Sequence, residues 1–122
     1  MPTSPLLEKQ FQFSRMLGLF LFWMAEQGYH WTMGDCWRSS DKLLCPECAE
    51  PITYQELLRN NGRSKTLDSK HGSRLAVDLN LFTAEGRLAG PEAYKALGEK
   101  WKALGGKWGG DWTFADYGHF EL

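Results

Sequence analysis

The stretch Ser69-Lys70-His71-Gly72-Ser73-Arg74-Leu75-Ala76-Val77-Asp78-Leu79-Asn80 decides how this chain is read. Leu75, Val77 and Leu79 alternate with Arg74, Ala76, Asp78 and Asn80, which is the period of a strand with one apolar face. The polar run Arg63 to Lys70 ahead of it reads as a loop. His71 therefore falls in the loop just before the strand, and Asp78 on the strand itself. Asp78 shares a face with Ala76, while Leu75, Val77 and Leu79 point into the core. A small residue beside a carboxylate leaves room for an ion and its water.

Moving toward the C-terminus, Glu85-Gly86 is a turn, and Arg87-Leu88-Ala89 reads as a returning strand. Pro91 opens a helix whose apolar side is Tyr94, Leu97, Trp101 and Leu104, and Gly105-Gly106 ends it. Lys107 to Leu122 is aromatic and glycine-rich and finishes as a strand at His119 to Leu122. On that strand His119 and Glu121 share one face, Phe120 and Leu122 the other. Asp116, three residues before His119, is within reach of the same cavity.

Toward the N-terminus, Ser4-Pro5 has the form of a helix start. Phe13, Leu17, Phe20, Leu21 and Met24 recur at helical spacing, and Met16, Leu19 and Trp23 form a second apolar stripe. Two apolar faces predict a buried helix, ending at Gly28. His30 to Met33 reads as a strand, and Asp41 to Glu50 as a loop carrying Cys45-Pro46-Glu47-Cys48. Thr53-Tyr54-Gln55-Glu56 has the form of a capping box and opens a short helix that stops near Asn61-Gly62. The expected fold is α+β: a small antiparallel sheet flanked by about three helices, one domain over residues 1–122.

Composition narrows the function. With 122 residues, 43% hydrophobic and 24% charged, the chain can bury a core without disulfides. A net charge of −1 argues against a strong phosphate-backbone binder, which needs a clustered basic surface. Met1 to Pro5 carry no positive charge, and the apolar run Met16 to Ala25 starts too late for a secretory signal. It also falls short of the about 20 apolar residues that span a bilayer. The expectation is synthesis in the cytosol without membrane insertion. Three cysteines, Cys36, Cys45 and Cys48, do not make a disulfide framework. Cys45 and Cys48 are half of a zinc knuckle that Cys36 and a His could complete, or reduced thiols in a loop. Among the six tryptophans, Trp31, Trp37, Trp108 and Trp112 divide between core and cleft, with one or two expected to grip substrate.

Two imidazoles and a carboxylate with an open fourth position are the ligand set of a catalytic zinc site. His71, Asp78 and His119 supply it, and Asp116 is the free carboxylate such a site needs as a base. The plainer alternative is a solvated His–Asp pair at a strand end. Glu121 is either a partner orienting a ligand histidine or a solvated carboxylate. Ser69 bonds within the site or shapes the loop. Asp111 is a turn residue, and His30 is structural.

Ser69-Lys70-His71 with Ala76-Val77-Asp78, followed by Asp116-Tyr117-Gly118-His119-Phe120-Glu121, resembles the signature of the D-alanyl-D-alanine carboxypeptidase and L-alanyl-D-glutamate endopeptidase family. These are zinc peptidases of the hedgehog/DD-peptidase fold and include many phage endolysins. The resemblance implies a zinc ion held by His71, Asp78 and His119, with Asp116 as catalytic base and Arg38 steadying the substrate or its oxyanion. Ser69, Glu121 and Trp108 would support the site or the substrate. Gln55 to Lys65 resembles the helix and loop preceding the zinc motif in endolysin members. The implied activity is cleavage of the L-alanyl-D-glutamate bond in peptidoglycan stem peptides. The alternatives are D-alanyl-D-alanine carboxypeptidase activity, or a non-catalytic wall-binding or structural zinc protein. A monomer, reaching the wall with a holin-like partner, is the implied setting. One position departs from the pattern: the family has glycine three residues after the first histidine, where this chain has Arg74.

Overall fold

Ser4 caps a helix. Its Oγ accepts a hydrogen bond from the Leu7 N–H at 3.1 Å, and Pro5 occupies the first turn, where its missing N–H costs nothing. The helix, α1 (Pro5–Glu26), buries Phe13, Met16, Phe20 and Met24. The structure, a computed structural model, describes residues 4–37, 42–44, 51–53 and 70–122.

The second apolar stripe is only partly covered: Met16 is buried and Trp23 packs against the core, but Leu19 does not. Leu19 is 61% and Phe22 64% exposed, and Phe11 also faces outward. The face bearing Phe13 and Phe20 packs most deeply: the Phe20 ring lies 5.1 Å from Trp101 and 5.0 Å from Phe120. Apolar composition alone did not distinguish the covered face from the other.

The strands follow as β1 (His30–Met33), β2 (Lys42–Leu44), β3 (Pro51–Thr53), β4 (Ala76–Phe82), β5 (Lys107–Trp108) and β6 (His119–Glu121). The main sheet has the order β1-β4-β6-β5, with antiparallel pairings throughout. Leu75, Val77, Leu79 and Leu81 are buried from one face of the central strand, as the alternation requires.

β2 and β3 form a separate hairpin, with Leu43 opposite Ile52. Lys42 to Leu44 therefore form a strand rather than the loop expected there; three residues are too few to show a period. Thr53 closes β3, and the helix expected after it lies outside the described residues. Arg87 to Ala89 return as a single bridge, Phe82 to Leu88, rather than a strand. Leu88 itself is exposed.

Pro91–Tyr94 form a 3-10 turn leading into α2 (Lys95–Ala103). Leu97 and Trp101 are fully buried, and the Trp101 indole N–H donates to the Glu121 carbonyl at 2.9 Å, tying α2 to β6. The Tyr94 hydroxyl accepts the Leu81 N–H at 2.8 Å. Gly98 lets the Trp108 ring lie directly on α2, where a Cβ would collide with the indole. The four-stranded antiparallel sheet and two α-helices among the described residues make the fold α+β.

Candidate metal centre

Antiparallel pairing of β4 with β6 puts Asp78 directly opposite His119. Both side chains leave the sheet on the face away from the leucine core, as their strand period dictates. His71 reaches them from the turn before β4. That turn is closed by the Arg74 N–H to the His71 carbonyl at 3.2 Å and the Leu75 N–H to the Lys70 carbonyl at 2.9 Å.

The three side chains meet on one oxygen. Asp78 Oδ1 lies 3.2 Å from His71 Nε2 and 3.1 Å from His119 Nδ1. The outer nitrogens are also engaged. His71 Nδ1 faces the Cys36 carbonyl at 3.4 Å, and His119 Nε2 faces Glu121 Oε1 at 2.9 Å. His71 is 1% and His119 5% exposed, whereas Asp78 is half-buried.

The charges in this cluster act on one another. Burial pushes the Asp78 carboxyl up, but hydrogen bonds and charge from His119 and His71 outweigh it and bring it down to about 2. Burial pushes His119 down, yet hydrogen bonds to Asp78 and Glu121 and the charges of Asp78 and Asp116 raise it to about 9. In the metal-free protein these contacts favour the protonated ring, with Nδ1–H directed at Asp78 and Nε2–H at Glu121.

The donor set fits a divalent cation. One atom from each of His71, Asp78 and His119 lies within 4.8 Å of the others. The outer partners fit as well: ligand histidines keep one nitrogen for the metal and donate the other N–H to a carbonyl or carboxylate. Here the Cys36 carbonyl takes that part for His71 and Glu121 for His119. The nitrogen set inward then differs, Nε2 for His71 and Nδ1 for His119. Two nitrogens and a carboxylate oxygen suit zinc.

Asp116 belongs to the loop leading into β6. Its carbonyl accepts the His119 N–H at 3.1 Å, and its own N–H donates to the Gly109 carbonyl at 2.9 Å. Gly109 is required there, because a Cβ would collide with the Asp116 carbonyl and crowd the His119 Cβ at 3.0 Å. Trp108 does not line the cleft: it is 6% exposed, and its indole N–H donates to the Tyr117 carbonyl at 2.8 Å. Its ring is spent on packing against Gly98 and Gly110.

Trp112 takes the position at the site instead, its ring 4.7 Å from that of His119 and 42% exposed. Asp111 pairs with Lys102 at 3.0 Å, and His30 is an exposed residue at the end of β1. Arg38, Ser69, Cys45, Cys48 and the segment from Gln55 to Lys65 lie outside the described residues. Cys36 brings its carbonyl rather than its thiol to His71, a role that no side-chain pattern could signal.

A family model described as D-alanyl-D-alanine carboxypeptidase matches residues 62–122. The chain also resembles the crystal structure of the Serratia marcescens L-Ala D-Glu endopeptidase ChiX, with a TM-score of 0.64 and 24% identity, covering 90% of this chain and 77% of that one. At that identity the likeness speaks for the fold. A comparison with curated proteins gives no match.

Proposed function

The chain belongs to the D-alanyl-D-alanine carboxypeptidase family, and on that premise we propose that it is a zinc-dependent endopeptidase that hydrolyses the L-alanyl-D-glutamate bond of peptidoglycan stem peptides. The broader assignment, a metallopeptidase acting on peptidoglycan peptides, comes with the family. One observation carries the zinc-dependent part of this reading: the outer nitrogens of His71 and His119 are committed to the Cys36 carbonyl and Glu121, so both inner nitrogens converge with Asp78.

His71 Nε2, His119 Nδ1 and an Asp78 carboxylate oxygen would hold a zinc ion. When bound, zinc supplies a Lewis acid for the scissile carbonyl and lowers the pKa of water toward ~7. Asp116 takes the proton of the attacking water and passes it to the leaving amine. The exposed Trp112 face beside His119 receives the peptide and keeps bulk water from the bond being cut. Arg38 steadies the oxyanion.

Digestion of purified peptidoglycan, with mass analysis of the released ends, tests this reading. New N-terminal D-glutamate is the expected product, and a chelator abolishes it. Free D-alanine would instead establish the carboxypeptidase, a second reading favoured by the description of the matched family. No product at all leaves a wall-binding module and ends the enzymatic proposal. The proposal extends to a phage endolysin acting as a monomer, made in the host cytoplasm and reaching the wall with a holin-type partner. Its support is the endolysin-like run Gln55 to Lys65.

A further inference from the structure

Arg74 has φ +60°, and it is the single non-glycine residue in the left-handed region among those described. Any side chain with a Cβ is disfavoured there, and glycine would make the same turn freely. Backbone strain kept at a site's edge points to use of the side chain that imposes it.

The side chain is well placed for use. The Arg74 guanidinium lies 4.5 Å from the centre of the Trp37 ring, and both residues are exposed. Trp37 directly follows Cys36, whose carbonyl meets His71. Among the described residues no carboxylate pairs with Arg74.

We propose that Arg74, resting over Trp37 at the edge of the metal centre, grips a free carboxylate of the substrate. This rests on the stem-peptide reading above. A guanidinium stacked on an aromatic face keeps its N–H fork directed outward, and that fork matches a carboxylate. A stem peptide offers two such groups near a cut at D-glutamate. One is the α-carboxylate that D-glutamate keeps when it extends the chain through its side chain; the other is the C-terminal carboxylate.

The test uses three synthetic stem peptides: the free acid, one with D-isoglutamine in place of D-glutamate, and one with a C-terminal amide. Each is assayed for kcat and KM with zinc-loaded wild type, Arg74→Gly and Arg74→Lys. Affinity for the zinc-stripped proteins is measured by calorimetry. In wild type, amidating the recognised carboxylate raises KM about 10-fold, the scale of one charge-assisted contact. In Arg74→Gly that penalty disappears, and Arg74→Lys restores part of it.

The location of the penalty identifies which carboxylate is held. A penalty of equal size in wild type and Arg74→Gly, or none in wild type, overturns the proposal. Misfolding cannot mimic the expected result, because glycine suits this backbone. If no peptide is cut but wild type binds the free acid more tightly than the amides and Arg74→Gly does not, the carboxylate grip stands and the peptidase reading falls. If no peptide is bound or cut, both fall.

Discussion

His119 directs Nε2 at Glu121 Oε1 across 2.9 Å, two residues along the same strand. That contact settles which nitrogen of His119 turns toward Asp78, and it makes Glu121 a candidate determinant of metal affinity without being a ligand. Replacing Glu121 with Ala frees the ring to rotate and removes the acceptor that raises its basicity. Zinc affinity, measured by competition with a chromophoric chelator, should drop ~10–100-fold. Glu121→Gln keeps an acceptor oxygen and should lose less. Equal affinity in Glu121→Ala and wild type would show that the contact does not support a metal.

Asp116 is assigned proton transfer without metal binding, so its removal should separate the two properties. Asp116→Ala should keep the wild-type zinc content by elemental analysis and lose about 10²–10⁴-fold in kcat. His119→Ala should lose the metal and the activity together. Loss of zinc in Asp116→Ala would move this residue from base to ligand.

The pH response of the metal-free protein follows from the two shifted groups. His119, raised from 6.5 to about 9, contributes stability that is complete below pH 6.5 and fades as pH rises through 9. Asp78, lowered from 3.8 to about 2, contributes stability that is complete above pH 3.8 and fades as pH falls through 2. The melting temperature of the chelator-treated protein should therefore be highest between these limits, roughly pH 4 to 6.5. It should decline toward pH 9 on the alkaline side. His119→Gln should remove the alkaline decline, and its survival in that variant would assign it to another group.

Strand alternation around Asp78 and around His119 correctly placed the two residues on outward faces, because a period of two leaves little freedom once one face is apolar. What sequence alone could not supply was register. That Asp78 sits opposite His119 depends on how β4 and β6 slide, and no single residue encodes it. Trp108 and Trp112 are chemically alike, yet the first is buried by Gly98 and Gly110 while the second stacks near His119. The glycines that make this difference are separated from the rings they admit by the chain's path. Arg74 was legible as a departure from a pattern, but its left-handed backbone and its contact with Trp37 were not.

Gly109 offers a test of how tightly the Asp116 loop is held. A methyl group there meets the Asp116 carbonyl, which also accepts the His119 N–H. Gly109→Ala must shift that loop, at a cost of about 1–3 kcal/mol by thermal or urea unfolding. Because backbone rather than a flexible side chain is displaced, kcat should fall more than stability alone explains at temperatures where the variant is fully folded. Wild-type kcat in Gly109→Ala would mean that the base tolerates movement of its loop.

α1 carries two phenylalanines whose fates the apolar pattern did not separate. Phe20 is fully buried among Trp101, Phe120 and Trp23, while Phe22 is 64% exposed. Truncating Phe20 removes contacts on several sides and leaves a cavity beneath β6, the strand that carries His119. Phe20→Ala should cost about 3–5 kcal/mol by urea unfolding. It should also weaken zinc binding, since Phe120 packs on Phe20 and is the immediate neighbour of His119. Phe22→Ala touches neither core nor site and should change stability by no more than about 0.5 kcal/mol. Comparable losses in the two variants would mean that the outward face of α1 is covered in solution.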